Sequence, residues 1–307
     1  MLSPTQAILF MLNQLNRIDN PPALNTLTPS REERLIGKRI DAANLDVEYV
    51  FSQTLPIFAE EPALGRAKQT IRITMVAIVT GASRGIGKAI ALELASLGYD
   101  LVVVGRNAES LKQMAAEAKG VKIIPVVADL TQVQSARQVV EETVRSLGGI
   151  DLLVNCAGIP QKGPFTEVTE EQWNEVFAVN ARAPFFLCQE ALPYLKKSQK
   201  PIVINISSVV GFKGYINQSV YASSKHALAG FTKVFAKEVQ PFGIRVHLIS
   251  PGGVATEMVA KMRPDIDPAE LIQPEEIAEI VRFLVTRKGK GTIDEFYIRR
   301  YSGLAFD

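Results

Sequence analysis

From Met75 onward, short apolar runs alternate with helical stretches. The runs read as strands at Val76–Thr80, Leu101–Val104, Lys122–Val127, Leu152–Asn155, Ile202–Ile206, Val246–Ile249 and Phe296–Ile298. Several of them are apolar at nearly every position, as strands buried on both faces of a parallel sheet must be. Strands that alternate with helices form right-handed crossovers. The sequence therefore predicts an α/β fold in which a doubly wound parallel sheet is flanked by helices on both faces.

The part of the chain before Met75 has a different pattern. Breakers such as Asn20-Pro21-Pro22 interrupt its apolar patches, residues 4–17 predict one amphipathic helix, and Ser30 with Glu33 forms a capping-box pattern for another. We find no group of catalytic or ligand-binding residue types in this part of the chain. The sequence predicts an N-terminal extension over residues 1–74, partly helical or poorly ordered, followed by a sheet domain over residues 75–307. Met75 is itself a candidate start codon.

Composition excludes several classes of function. The chain has 34 basic and 32 acidic residues, a net charge of +2 that gives no field to attract nucleic acid or an anionic membrane. No stretch reaches the roughly 20 apolar residues of a membrane span. The first sixteen residues carry no charge, unlike a secretory signal, and the two cysteines make no disulfide framework. We predict a cytoplasmic protein that has no nucleic-acid or membrane partner and binds no metal.

A glycine-rich turn follows the first predicted strand and opens a helix. It reads Thr80-Gly81-Ala82-Ser83-Arg84-Gly85-Ile86-Gly87, with G-x-x-x-G-x-G spacing. Glycines let the backbone approach a ligand, and the free N–H groups of a helix N-terminus favour a pyrophosphate. The setting predicts a Rossmann-type dinucleotide site, and the turn residues predicted to bind the cofactor are Gly81, Ser83, Arg84, Gly85, Ile86 and Gly87.

The same turn also matches G-x-S-x-G, the nucleophile elbow of α/β-hydrolases, with Ser83 as the nucleophile. A hydrolase triad needs a histidine, and the chain has only His226 in a helical run and His247 inside an apolar strand. The elbow also normally follows several strands, whereas this turn follows the first. A serine hydrolase therefore stays as the weaker alternative.

The end of the second strand predicts the phosphorylated cofactor. Folds that bind NAD carry a carboxylate there for the ribose 2′-hydroxyl. This strand instead ends Val104-Gly105-Arg106-Asn107, without a carboxylate. Arg106 and Arg84 offer paired N–H donors that suit a 2′-phosphate. The sequence thus favours NADP(H).

Tyr221 and Lys225 are the candidate acid–base pair. They are spaced i, i+4, which places them on one helix face. A nearby positive charge favours a phenolate, so we expect Lys225 and the positive oxidised nicotinamide together to lower the pKa of Tyr221. A tyrosine of this kind can give a proton to a carbonyl oxygen or take one from an alcohol. Ser208 lies just past the strand Ile202–Ile206, where a doubly wound sheet places its site.

Together, these motifs resemble the short-chain dehydrogenase/reductase family over about residues 75–286. The resemblance rests on the Thr80–Gly87 turn, Asp129-Leu130, Asn155-Cys156-Ala157-Gly158, Ser208 with Tyr221 and Lys225, and Pro251-Gly252-Gly253-Val254-Ala255-Thr256. It implies an oxidoreductase that moves a hydride between NADP(H) and a carbonyl or secondary alcohol. A non-catalytic NADP(H)-binding regulatory protein on the same fold is the second alternative.

The resemblance also implies roles for individual residues. Tyr221 would be the acid/base, Lys225 would lower its pKa and hold the nicotinamide ribose, and Ser208 would bind the substrate oxygen. Asn180 would position a water for proton relay. The remaining residues that the resemblance assigns to the cofactor are Asp129, Leu130, Asn155, Ala157, Gly158, Pro251, Gly252, Val254 and Thr256.

Further expectations concern the surroundings of the site. We expect residues 257–272 to cover the substrate as a mobile lid and Cys156 to be a packing residue. The C-terminal segment from Thr292 to Phe306 lacks the Asp-Gly-Gly ending common among 3-oxoacyl-(acyl-carrier-protein) reductases. It resembles instead the branch that reduces small carbonyls or oxidises hydroxy amino acids. The resemblance also implies a homodimer or homotetramer.

Overall fold

The computed structural model describes residues 74–303 of the chain. Every predicted strand is present, within a few residues of its predicted ends. The strands are β1 (Val76–Thr80), β2 (Asp100–Gly105), β3 (Ile123–Val127), β4 (Leu152–Asn155), β5 (Ile202–Ile206), β6 (Arg245–Pro251) and β7 (Glu295–Ile298). They form one sheet in the order β3-β2-β1-β4-β5-β6-β7, and each neighbouring pair is parallel.

The α-helices alternate with these strands in the chain. They are α1 (Gly85–Ser96), α2 (Ala108–Glu117), α3 (Gln134–Leu147), α4 (Glu170–Phe177), α5 (Ala183–Leu195), α6 (Ser219–Val239), α7 (Glu257–Met262) and α8 (Pro274–Thr286). A π-helical turn at Ala178–Arg182 joins α4 to α5. The Rossmann-type doubly wound sheet predicted from the sequence is confirmed.

Two apolar cores lie on opposite faces of the sheet. Ala77 and Val79 of β1 pack into the core that α1, α2 and α8 cover. Ile78, between them, packs into the core that α3, α5 and α6 cover. Because alternate residues of a strand point to opposite faces, a strand covered on both sides must be apolar throughout. This explains why β1 reads as an unbroken apolar run.

The order of strands places the site. After β1 the chain adds β2 and β3 on one side, then returns to put β4 on the other side of β1. The loops that leave β1 and β4 therefore diverge at their carboxyl ends and leave a crevice between them, which is where open α/β sheets bind ligands. β5 and β6 extend the same edge.

Several predictions fall outside the described residues: the helices at 4–17 and near Ser30, nearly all of the N-terminal extension, and the last four residues of the chain. Among the residues that the structure describes, no helix is both long and apolar enough to cross a membrane.

Candidate active site

The glycine turn between β1 and α1 has the backbone that its sequence predicts. Gly81 and Gly85 have φ angles of 70° and 56°, in the left-handed region that favours glycine. Gly87 is needed for a different reason, since a Cβ there would lie 2.3 Å from the carbonyl oxygen of Gly81. The turn folds so tightly onto the first turn of α1 that no side chain fits between them.

The N-terminus of α1 is open to a ligand. Arg84, its N-cap residue, makes no side-chain hydrogen bond to the helix, and its first turn carries no acidic residue. The first N–H groups of a helix have no partner within the helix and carry partial positive charge. This end of α1 therefore fits a pyrophosphate.

Thr80 ties the glycine turn to the end of β4, a role that the sequence analysis did not assign. Its hydroxyl accepts hydrogen bonds from the backbone N–H groups of Cys156 and Ala157, each at 3.0 Å, and donates to the carbonyl of Val154 at 3.4 Å. Thr80 is the first residue of the motif T-G-x-x-x-G-x-G, and that position was the only sequence signal of its role. Thr80 fixes the two walls of the crevice relative to each other.

The candidates for the 2′-phosphate lie at the ends of β1 and β2. Arg106 is exposed just beyond β2. Arg84 is exposed too, but it forms an ion pair with Glu257 at the start of α7. Asp129, beyond β3, is exposed, and a hydrogen bond from the backbone N–H of Thr131 lowers the pKa of its carboxyl. In this structure, therefore, Arg84 would have to leave the Glu257 carboxylate before it could join Arg106 at a 2′-phosphate.

The residues predicted to form the cofactor floor divide into two groups. Leu130 is 8% exposed and packs into the core beneath α3, and the Asn155 side chain donates to Asn205 at 2.8 Å inside the sheet. Only the backbones of these two residues are available to a cofactor. Ala157 and Gly158 are half-buried at the crevice. A Cβ on Gly158 would lie 3.5 Å from the Lys225 Nζ, so glycine keeps that approach open.

Asn180 lies in the π-helical turn before α5 and is fully buried. Its Oδ1 accepts from the backbone N–H of Ile159 at 2.9 Å, and its Nδ2 donates to the carbonyl of Ile159 and the hydroxyl of Ser224. π-Helical turns are rare and occur frequently at functional sites. This one turns the amide inward, where it links the loop after β4 to helix α6.

Ser208 and Tyr221 are brought together as predicted. Ser208 caps the short 3-10 turn after β5, and Tyr221 lies in the first turn of α6 at 8% exposure. Burial raises the pKa of Tyr221 to about 12, while a hydrogen bond with the Ser208 side chain opposes the rise. Both residues line the same cleft. Two hydroxyls therefore face one position where a substrate oxygen can bind.

In the protein without cofactor, Lys225 does not lower the pKa of Tyr221, and the joint effect expected of Lys225 and the oxidised nicotinamide stays a prediction. The Lys225 Nζ lies 6.0 Å from the ring centre of Tyr221 and donates to the carbonyl of Ile206 at 2.9 Å. Burial dominates both groups: it raises the pKa of Tyr221 and lowers that of Lys225 to about 8. The i, i+4 spacing indicates a shared helix face, but it contains no information about how deeply that face is buried.

The cleft has a volume of about 360 Å³, in the usual range for a small-molecule site. Its lining includes the predicted residues Ile86, Pro251, Gly252, Val254 and Thr256. Thr256 caps α7, and its methyl group would lie 3.0 Å from a Cβ on Gly85.

The segment expected to be a lid begins with α7. Met262, the last residue of that helix, is buried in a small apolar cluster with Tyr221 and Val210. The segment therefore packs against Tyr221, and its role as a mobile lid over the substrate stays a prediction.

Neither histidine supports the hydrolase alternative. The Nδ1 atoms of His226 and His247 each bond to a backbone carbonyl, of Ala222 and Ile293. Among the described residues, no hydrogen bond joins either histidine to Ser83. Burial raises the pKa of the Cys156 thiol to about 12, which agrees with its interpretation as a packing residue. In residues 74–303, no group of three or more acidic, histidine or cysteine side chains is arranged to hold a metal ion.

Comparison with known proteins identifies the family. The family model described as short chain dehydrogenase matches residues 75–267. The chain belongs to this family. It is therefore an oxidoreductase of the class that acts on C=O and CH–OH groups, as the motifs predict.

Individual relatives span most of the described region. The chain is 38% identical to the 3-oxoacyl-(acyl-carrier-protein) reductase of Aquifex aeolicus over 220 residues, which cover 68% of this chain and 89% of that protein. An alcohol dehydrogenase from Thermococcus sibiricus, solved with 5-hydroxy-NADP, superimposes with a TM-score of 0.70 at 28% identity and covers 75% of this chain and 98% of its own. A metagenomic short-chain oxidoreductase solved with NADP gives 0.65 at 31% identity, with the same coverage.

Proposed function

We propose that this protein is an NADP(H)-dependent reductase that interconverts a carbonyl and a secondary alcohol, with Tyr221 as the general acid/base. The observation that carries the proposal is the meeting of the Ser208 and Tyr221 side chains in one cleft, beside a glycine turn that fits a pyrophosphate. In reduction, bound NADPH supplies a hydride to the carbonyl carbon. The carbonyl oxygen takes a proton from the protein, so each turnover consumes one NADPH and one proton.

The proton chemistry follows from burial. With a pKa raised to about 12, Tyr221 holds its proton at neutral pH and is ready to donate it to the substrate oxygen. The Ser208 hydroxyl donates a hydrogen bond to the same oxygen and stabilises the charge that develops there. Lys225, with a pKa near 8, is mainly charged at pH 7. Its ammonium would hold the nicotinamide ribose, and Asn180 fixes the loop and helix on either side of it.

The remaining predicted residues would hold the cofactor. The pyrophosphate would bind the turn from Gly81 to Gly87 at the N-terminus of α1, and the residues from Pro251 to Thr256 would bind the nicotinamide end. Arg106 would bind the 2′-phosphate, joined by Arg84 once that side chain leaves Glu257. Two structures similar to this one were solved with NADP or a derivative of it, which supports the choice of the phosphorylated cofactor.

The decisive test of catalysis is the variant Tyr221→Phe. Turnover of a panel of ketones and aldehydes with NADPH should fall at least about 100-fold, because proton transfer by a positioned side chain contributes that much or more. NADPH binding should stay within about twofold of wild type. The control Tyr194→Phe removes a hydroxyl from α5 and should leave turnover unchanged.

Other outcomes of that test would separate the alternatives. Wild-type turnover in Tyr221→Phe would refute the assignment of the acid/base. Cofactor binding without turnover of any carbonyl would indicate a non-catalytic binding protein. Ester cleavage that requires Ser83 and ignores NADPH would indicate a hydrolase.

The cofactor preference has its own test. Arg106→Asp should weaken the binding of NADPH at least about tenfold more than the binding of NADH, since only NADPH carries the phosphate that a guanidinium pairs with. Fluorescence titration of both cofactors measures the difference. Equal losses for the two cofactors would remove Arg106 from the 2′-phosphate site.

We also propose a homodimer or homotetramer in a reducing, cytoplasmic environment. Phe185 on α5 and Val234 on α6 are 45% and 56% exposed, and Phe185 stacks obliquely on Phe231 with ring centres 5.0 Å apart. Such an apolar helix face is typical of a subunit contact. Both cysteines are free thiols. Sedimentation equilibrium of wild type and of Val234→Glu tests the assembly, and the variant should dissociate to smaller species.

A further inference from the structure

The charges around the active-site cleft have one sign. Among the described residues that line it, Lys213, Arg263, Arg299 and Arg300 are cationic and none is acidic. In a chain with 34 basic and 32 acidic residues, composition alone gives almost no preference for cations in a lining. The cleft therefore differs from the rest of the surface in the direction that attracts anions.

The carboxylates that pair with these arginines stand outside the lining. Arg263 donates to both oxygens of Asp265, whose side chain is 61% exposed. Arg300 pairs with Glu270 at 3.1 Å, and the arginine side chain is 22% exposed whereas the glutamate is 50% exposed. In both pairs the arginine is a lining residue and the acid is not. The ion pairs orient the two arginines, and each carboxylate offsets part of the charge of its guanidinium.

Arg299 is oriented by the backbone instead. Its Nη1 donates to the carbonyls of Arg300, Tyr301 and Gly303 at distances between 2.8 and 3.1 Å. A guanidinium has five N–H donors in a fixed plane, so the nitrogens that these carbonyls do not use keep donors for a ligand. A side chain held this way loses little further freedom when an anion binds.

The arginines after β7 lie away from the predicted phosphate sites of the cofactor. β7 is four strands from β1 in the sheet, and neighbouring strands are spaced about 4.8 Å apart, which puts their ends about 19 Å apart. The N-terminus of α1 follows β1, whereas Arg299 and Arg300 follow β7. The pyrophosphate of the cofactor and the arginine cluster therefore lie at different halves of the carboxyl edge of the sheet.

The cleft combines three kinds of lining group. Met258, Val210 and Met262 pack around Tyr221, and the same lining includes Ser208 and the arginines. One cleft therefore offers hydroxyls for a carbonyl oxygen, apolar side chains for a carbon chain and guanidinium groups for an anionic end.

We propose that the carbonyl substrate is an anion, an oxo acid or a phosphorylated ketone. Its carbonyl oxygen binds Ser208 and Tyr221, and its carboxylate or phosphate binds Arg263, Arg299 and Arg300. The proposal rests on the reductase function proposed above and adds the substrate class. Guanidinium groups suit both kinds of anion because their paired donors match two oxygens at once.

The test uses pairs of related ketones in which one member is an anion and the other is neutral. 4-Oxopentanoate is compared with its methyl ester, and dihydroxyacetone phosphate with dihydroxyacetone, by the NADPH absorbance at several substrate concentrations. In at least one pair, kcat/KM should be about tenfold or more higher for the anion, mainly through KM, as expected for a charge-assisted hydrogen bond. The pair that shows the preference tells carboxylate from phosphate.

Variants assign the preference to the arginines. Arg300→Gln and, separately, Arg263→Gln should each lower kcat/KM for the preferred anion about tenfold more than for its neutral partner. Arg300→Lys should restore part of that loss. Arg137→Gln, on the exposed surface of α3, keeps the count of charges equal to that of the other glutamine variants and should leave the preference at the wild-type value.

Equilibrium binding separates failure of this proposal from failure of the reductase function. If no ketone of the panel is turned over, calorimetric titration of each pair into protein saturated with NADP⁺ measures whether the anion binds more tightly than its neutral partner. Preferential binding of an anion that Arg300→Gln abolishes supports the anionic site even without turnover. The anionic site is refuted if the neutral ketones bind or react as well as the anions. It is also refuted if the variants lower kcat/KM equally for both members of a pair. The reductase function stands in either case.

Discussion

Lys225 is a cation held inside the protein, and this has a measurable effect on stability. Its side chain is 4% exposed, and burial lowers its pKa from 10.5 to about 8. At about 1.4 kcal/mol for each tenfold change in the proton equilibrium, the buried ammonium costs the cofactor-free protein about 3 kcal/mol at neutral pH. Replacing Lys225 by methionine removes that cost and also the hydrogen bond to Ile206, which is worth about 1 kcal/mol.

The sign of the pH dependence follows from proton binding. Between the folded pKa near 8 and the unfolded value of 10.5, the unfolded chain binds the proton and the folded chain does not. The contribution of Lys225 to stability therefore rises with pH across this window and is constant at its lowest value below it. Lys225→Met should be more stable than wild type by about 2 kcal/mol at pH 7, and by only about 1 kcal/mol at pH 9.

Urea unfolding followed by circular dichroism measures this difference at pH 7, 8 and 9 in the absence of cofactor. Comparing the variant with wild type matters because burial also raises the pKa values of Cys156 and Cys188, which lowers the stability of both proteins above pH 9. Lys112→Met, at an exposed position of α2, is the matched control and should not gain about 2 kcal/mol at pH 7. A variant less stable than wild type at every pH, or a difference constant from pH 7 to 9, would refute the reasoning.

Two further predictions concern the walls of the site. Gly87→Ala puts a Cβ 2.3 Å from the carbonyl oxygen of Gly81, so the turn must open. NADPH affinity measured by fluorescence titration should fall at least about tenfold, while Gly230→Ala, whose Cβ meets nothing within 4 Å, gains up to about 1 kcal/mol of helix propensity and binds normally. Wild-type affinity in Gly87→Ala would contradict the role of the turn. Asn180→Ala leaves the N–H and carbonyl of Ile159 without their partner, so its free energy of unfolding should fall by about 3 kcal/mol. An equal loss in Asn174→Ala, at an exposed position of α4, would show that the amide bonds do not carry the effect.

The sequence by itself determined most of the fold. Strands buried on both faces need apolar residues at nearly every position, so β1, β4 and β5 can be recognised from the sequence. The edge strand β7 is only half-buried, yet its short run Phe296–Ile298 was enough to locate it. The strand order came from the structure, because right-handed crossovers also allow the order 2-1-3-4-5 of other doubly wound sheets.

The chemistry of the site was also largely readable from the sequence. The glycine turn needs residues without a Cβ, and Ser208, Tyr221 and Lys225 have to lie at the carboxyl edge because their strand and helix do. The link that Thr80 makes between β1 and β4 was not visible, because it depends on how close two loops come in space. The same holds for the inward turn of Asn180, which a π-helical turn produces.

Tertiary structure alone decided how deeply the site residues are buried and which charged groups meet in the cleft. The spacing of Tyr221 and Lys225 predicts a lowered tyrosine pKa, but the fold buries both groups, and burial penalises whichever form is charged. Arg263, Arg299 and Arg300 stand far from Ser208 in the chain, and only the packing of α7 and the end of β7 around the cleft brings them to one ligand site. Sequence spacing describes neighbours along a helix or strand, whereas pKa values and substrate charge depend on groups that the fold assembles from distant segments.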